Sequence, residues 1–189
     1  MDAYFDDKVF ERVDFTKVPL DAGAYEHCRF IDCDFSGADL SNRRFSECTF
    51  AGCNLTLAVL GGTAFRDVQF TECKMWGLHF EHCSKFGQSF HFDHCSLNHS
   101  SFFQGKLKGT RFRDTQLHEV DFTECDLTGA LFDACSLLHA RFDHTLLEKA
   151  DLRTAVDYSI DPELNRIKKA KFALGGLGGL LEKYDIVIG

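Results

Sequence analysis

The 189-residue chain has little proline, tryptophan or methionine: two Pro, one Trp and two Met. Proline this scarce suits a backbone that is hydrogen-bonded almost throughout, where a missing N–H is costly. No apolar run approaches the ~20 residues of a membrane-spanning helix. The opening Met1-Asp2-Ala3-Tyr4-Phe5-Asp6-Asp7 lacks the basic flank and apolar stretch of a signal peptide, so a cytoplasmic location is expected. There is no C-x-x-C pair, no P-loop, no G-x-S-x-G, no H-E-x-x-H and no G-x-G-x-x-G in a βαβ setting. Catalysis therefore has no recognisable machinery, and neither cofactor nor metal is expected. Positive charge is also in deficit: 21 Lys and Arg against 29 Asp and Glu give −8, a poor match to nucleic acid phosphates. What the chain has in excess is 20 Phe and nine Cys.

Those residues are spaced, not scattered. A large apolar side chain recurs every five positions from Phe5 and Phe10 through Phe15, Leu20 and Tyr25 to Phe80. The series resumes two residues out of phase at Phe92 and runs to Leu152. Two six-residue steps, Phe80 to Phe86 to Phe92, are expected to absorb the shift as one-residue bulges within an irregular segment, 81–91. A period of five fits neither a helix nor a plain strand. Two residues before many of the centres stands a small side chain, as at Cys28, Cys33, Ala38, Cys48, Cys53, Cys73, Cys95, Cys125, Cys135 and Ala150. Eight of the nine cysteines hold this position, with Cys83 one residue off it. They read as small core residues rather than as zinc or redox ligands. The nine histidines fall mostly on outward positions, with His91, His94 and His99 close enough in sequence to titrate together.

Ala38-Asp39-Leu40-Ser41-Asn42 and Ala150-Asp151-Leu152-Arg153-Thr154 match the A-(D/N)-L-x-x unit outright, and Cys53-Asn54-Leu55 and Cys125-Asp126-Leu127 match it with Cys in the small position. The chain thus resembles the pentapeptide-repeat family over roughly residues 5–154. That resemblance implies an all-β fold, a right-handed quadrilateral β-helix of about seven coils with four pentapeptides per coil. Reading every fourth centre gives one column of nearly pure Phe: Phe10, Phe30, Phe50, Phe70, Phe92, Phe112, Phe132, then Leu152.

Beyond Thr154, residues 155–189 read as a separate tail. Asp161-Pro162-Glu163 predicts a helix start running to about Lys169. Leu177, Leu180, Leu181 and Tyr184 predict a second short helix before an extended Asp185–Ile188. Gly175-Gly176-Leu177-Gly178-Gly179 reads as a flexible or tightly packed turn. The tail is expected to cap the open end of the β-helix, and Leu177, Leu180, Leu181, Tyr184, Ile186 and Ile188 to form a homodimer interface.

Charge is uneven along the chain. Residues 106–113 carry Lys106, Lys108, Arg111 and Arg113, whereas 114–163 carry 12 acidic against three basic side chains. Asp114, Glu119, Asp121, Glu124, Asp126, Asp133, Asp143, Glu148 and Asp151 are the expected partner-binding strip, complementary to a basic groove. The ending Tyr184-Asp185-Ile186-Val187-Ile188-Gly189 is similar to that of the Qnr-type quinolone-resistance members of the family. Thr56-Leu57-Ala58-Val59-Leu60-Gly61-Gly62 is similar to a segment of a mycobacterial resistance protein. This resemblance implies a dimeric, DNA-mimicking rod that binds DNA gyrase or topoisomerase IV and confers fluoroquinolone resistance, touching neither nucleic acid nor membrane. The other readings are a scaffold of the same fold with an unrelated protein partner and, third, a metal or redox protein built on the Cys and His surplus.

Overall fold

A chain with one large inward residue in five closes on itself after four units. The computed structural model, which describes residues 3–187, is a parallel β-solenoid of about eight turns with little helix. Its four faces are named here by their centres. Face 1 holds Phe5, Tyr25, Phe45, Phe65, Leu107, Leu127, Leu147 and Ile167. Face 2 holds Phe10, Phe30, Phe50, Phe70, Phe92, Phe112, Phe132, Leu152 and Phe172, on a nine-stranded parallel sheet. Faces 3 and 4, on Phe15 to Leu137 and on Leu20 to Phe142, are joined by isolated parallel bridges such as Asp34↔Asn54 and Asp121↔Arg141.

The interior is an aromatic stack. Phe30 and Phe50 have ring centroids 4.6 Å apart at 11°, and Phe112 and Phe132 5.0 Å apart at 6°. Across each corner the rings meet edge to face, as in Phe30–Phe45 at 5.8 Å and 79°. Offset stacking along the columns and edge contacts between them satisfy the ring quadrupole in both directions. At many corners the second residue after the centre has positive φ, for example Asp7, His27, Asn42 and Glu124. Polar Asp, Asn and His tolerate this region better than bulky or branched side chains.

The small inward position has a second role that spacing alone does not reveal. Its side chain donates a hydrogen bond to a centre carbonyl of the preceding coil: Cys48 Sγ to Tyr25 O at 3.3 Å, Cys73 Sγ to Phe50 O at 3.4 Å, Thr145 Oγ1 to Phe122 O at 2.8 Å. All nine cysteines are free and buried, including Cys83, which keeps the regular register after Phe80 instead of lying off it. Burial pushes the Cys48, Cys83, Cys125 and Cys135 thiols up to about 12, so these stay protonated near neutral pH, and Cys48, Cys125 and Cys135 act as donors.

Three expectations are corrected. First, Phe86 is not a core centre: it is 78% exposed, while Phe90 is buried. Phe90 stands two residues before Phe92, in the position of its ladder partner Val68, and its larger ring reaches the space a face 1 centre would fill, 6.3 Å from Phe65 and 5.4 Å from Phe80. One projecting loop between the 3-10 turn Phe80–His82 and the strand Phe90–Asp93 absorbs the slip, in place of two bulges.

Second, residues 161–169 do not form a helix. The ladder continues, with Arg166 bridging Leu146 and Leu152 pairing Phe172. Asn165 takes the small position, its Nδ2 donating to Phe142 O at 3.0 Å as the thiols do elsewhere. Asp157 and Pro162 fall where centres belong, and that break masks the last turn in the sequence. Third, the tail holds 3-10 rather than α-helical turns, at Leu174–Leu180 and Glu182–Tyr184. Glycine is required there: a Cβ on Gly176 would lie 2.1 Å from Tyr158 Oη, and one on Gly179 2.1 Å from Tyr158 O.

Phe50→Asp should abolish the native circular-dichroism spectrum, because it places a charge between Phe30 and Phe70. Phe90→Ala should cost about 3–5 kcal/mol by chemical denaturation and Phe86→Ala less than about 0.5; equal losses would contradict the loop assignment. The native thiols should resist an aromatic disulfide reagent until the rod is unfolded, and chelator should leave the melting temperature unchanged.

Candidate functional surface

A filled interior leaves only the outside for function, and the register sorts its charge by face. On face 4, with its corners, Asp21, Asp39, Glu81, Asp121, Glu124, Asp143, Asp161 and Glu163 stand against the single base Arg141, a net of −7. Face 2 balances, with seven of each sign. Face 1 opens with Asp6, Asp7 and Glu26, but from Arg44 to Lys169 its outward positions carry eight basic against four acidic side chains.

The nine acidic residues expected as one strip are therefore not brought together. Asp121, Glu124 and Asp143 lie on face 4; Asp126 and Glu148 on face 1; Asp114, Asp133 and Asp151 on face 2; Glu119 at the corner of face 3. Several are already engaged. Asp151 meets Arg153 at 2.8 Å and Lys171 at 3.3 Å, and the Arg153 guanidinium holds its carboxyl far below the usual range. Asp126 meets Lys108 at 3.3 Å, and Glu124 accepts from Gln104 Nε2 at 2.8 Å. The basic cluster falls on face 1 (Lys106, Lys108) and face 2 (Arg111, Arg113), so it does not interrupt face 4. Asp21, Asp39, Glu81, Asp161 and Glu163 were missed because their neighbours in space are about 20 residues away; grouping outward positions modulo 20 finds them.

The histidines do not act as one cluster. His91 sits on face 2, where its Nδ1 accepts the Arg111 backbone N–H at 3.2 Å; burial and the Arg111 charge lower its pKa. His94 contacts Asp93 and Asp114, and His99 contacts Glu119 at 3.3 Å. Two groups, Asp6 with Asp7 and His27, and Asp93 with His94 and Asp114, hold their donor atoms within 4.8 Å and could take a cation. In the second, Arg113 Nε already occupies Asp93 at 2.8 Å; in the first, the Asp6 carboxylate raises the His27 pKa.

Face 3 carries a run of neutral polar groups. Trp76 Nε1 donates to Ser96 Oγ at 2.7 Å, and Ser136 Oγ lies 2.9 Å from His118 Nε2 and donates to Asp157 Oδ2 at 3.0 Å. Here serine stands between imidazole and carboxylate, whereas activating a nucleophile needs the imidazole in the middle.

The tail closes over Tyr158 and is tied down by Lys183 Nζ, 2.7 Å from both Asp161 and Glu163. Of the expected interface residues, Leu180 packs on the core, Leu181 is half-buried, and Leu177, Tyr184 and Ile186 are exposed. Ile188 lies outside the described residues. Among the described residues, no helix is long and apolar enough to cross a membrane.

Among solved structures, a trypsin-treated form of QnrB1, a plasmid-mediated fluoroquinolone resistance protein, is 19% identical with a TM-score of 0.45, over 99% of this chain and 100% of that one. HetL of the cyanobacterium Nostoc, a pentapeptide repeat protein involved in heterocyst differentiation regulation, is 16% identical with a TM-score of 0.50, over 89% and 86%. A pentapeptide repeat protein of the Arabidopsis thaliana thylakoid lumen is 16% identical with a TM-score of 0.39, over 79% and 88%. No curated protein matches the sequence. The family model described as "Pentapeptide repeat region" matches residues 24–84 and 77–152, the same stretch in which Phe, Leu and Cys keep their five-residue register. The chain belongs to the pentapeptide-repeat family.

Proposed function

We propose that this protein is a non-enzymatic binding rod whose face 4 docks in a basic groove built for duplex DNA, that of a bacterial type II topoisomerase. The observation that carries this reading is the excess of acid on that face: from Asp21 to Asp143 six carboxylates stand against Arg141, with Asp161 and Glu163 beyond them held by Lys183. The face offers roughly one carboxylate per ~4.8 Å coil. The DNA strand such a groove grips offers one phosphate per ~3.4 Å. The rod is thus a sparser but rigid polyanion, and its charges need no ordering on binding. The similarity of the chain's ending to Qnr-type proteins points to DNA gyrase or topoisomerase IV as the partner and to fluoroquinolone protection as the outcome. Asp121, Glu124 and Asp143 belong to the docking surface on this reading, joined by Asp21, Asp39 and Glu81.

The same reading includes a homodimer through the tail, where Leu174, Leu177, Tyr184, Ile186 and Val187 are exposed on the capped end. Apolar side chains grouped beside a cap are poor solvent-facing choices unless a second copy covers them.

In a gyrase supercoiling assay with and without a fluoroquinolone, micromolar protein should change the enzyme's activity or its drug sensitivity. Asp39→Lys with Asp121→Lys should weaken that effect at least about tenfold, since reversing two charges in one facing pair of surfaces costs ~1–3 kcal/mol. No effect of the wild-type protein on either enzyme would remove the topoisomerase reading. Leu177→Glu with Tyr184→Glu should sediment as monomer, leaving Leu180 and the cap in place; an unchanged mass would contradict a tail dimer.

A further inference from the structure

The net charge of −8 argues against contact with nucleic acid, but that total is a sum over faces of opposite sign. Face 1 concentrates the positive charge. Arg66 and Lys106 lie along its middle, and Lys149, Arg166, Lys168 and Lys169 converge on its last two coils, where Lys149 N donates to Lys168 O at 3.0 Å and Arg166 bridges Leu146. Those last four side chains are exposed and have no carboxylate partner among the described residues. On faces 2 and 3, by contrast, Arg113, Arg153, Lys171 and Lys17 each meet an aspartate within 3.3 Å. Lys149 and Lys169 occupy equivalent corners of adjacent coils, so two like charges leave neighbouring points of one edge, an unfavourable placement without an anion nearby.

We propose that face 1 is a contact surface for the phosphodiester backbone of duplex DNA. The surface is open, so it offers no enclosure for a small anion, whereas an extended polyanion needs none. From Arg44 to Lys169 it spans six coil steps, about 30 Å, close to the ~34 Å of one helical turn. The four cations of its last two coils are long, flexible and without a carboxylate partner among the described residues, as backbone contacts require, and nothing on the face is arranged to read base edges. The inference stands apart from the topoisomerase reading, since face 4 and face 1 present opposite charge. Both together would let one rod occupy a protein groove and rest on DNA held by the same enzyme.

The test is fluorescence anisotropy of a labelled duplex of about 20 base pairs with the full chain, titrated from about 50 to 200 mM salt. Wild type should bind with a dissociation constant of order 10⁻⁵–10⁻⁴ M at the low end, and log K should fall with log salt at a slope of about −3. Lys149→Gln with Lys168→Gln and Lys169→Gln should weaken binding at least about tenfold and flatten the slope by about 2–3. Lys106→Gln with Arg166→Gln, at ladder positions, should shift both in the same direction. Lys8→Gln with Lys17→Gln and Arg29→Gln, on faces 2 and 3, should bind as wild type does. Absence of salt-dependent binding, equal losses in the control variant, or tenfold preference for a single strand of the same length would overturn the proposal. Circular-dichroism melts matching wild type establish that each variant is folded. Failure here with a positive supercoiling assay would leave the face 4 reading intact, and the converse result would do the opposite.

Discussion

Every coil of this rod is built on the one before it, and the contact between consecutive coils is the constraint from which the rest follows. Backbone groups pair one turn away in sequence, as in Asp32 N to Ala51 O at 2.8 Å and Asn54 N to Cys33 O at 3.0 Å. The same advance stacks Phe30 on Phe50 and Phe50 on Phe70. Hydrogen bonding and packing thus share one period, so a residue that fits one coil fits its neighbours. A solenoid of this kind needs its interior to keep its volume, and accordingly Phe persists along most of face 2, while face 1 turns from Phe to Leu beyond Phe65 as face 4 turns from Leu to Phe at Phe80.

The constraint also explains how the chain tolerates a slip. When the face 1 centre after Phe65 is lost, Phe90 fills the gap from the small inward position of the next unit, and the surplus chain leaves as a loop carrying Phe86 under the Arg66 guanidinium, 5.4 Å from the ring centroid. Interior volume is conserved and the exterior absorbs the irregularity. At the far end the same logic extends the ladder through Asp157 and Pro162, which break the pattern, because Ile167 and Phe172 restore it and Asn165 supplies the hydrogen bond that a cysteine supplies elsewhere. The last coil is closed by Tyr158 and a glycine-rich turn pressed against it, so the terminal backbone is covered.

Charge follows from geometry in turn. Because outward positions repeat with the coil, acid or base placed every 20 residues becomes a longitudinal stripe, and segments that look polarised along the chain dissolve into four faces. The run 114–163 is rich in acid, yet its carboxylates point in every direction around the rod; residues as distant as Asp21 and Glu163 share a side. Opposite stripes on adjacent faces make the molecule an electrostatic object of low symmetry, able to present unlike surfaces to different partners.

The five-residue recurrence of Phe and Leu, with Cys two positions earlier, determined the architecture, the columns and the burial of the thiols, because those depend only on local spacing repeated through the chain. It could not determine where Phe86 and Phe90 sit, since both are aromatic and only the volume left by the neighbouring coil chooses between them. Nor could it show that Asn165 continues the ladder behind a helix-like Asp161-Pro162, where partners from Phe142 to Leu146 outweigh local propensity. The grouping of surface charge was hidden in the linear sequence: side chains that repel or attract one another across a coil are about 20 residues apart, and closure of the turn after four units is what brings them within reach.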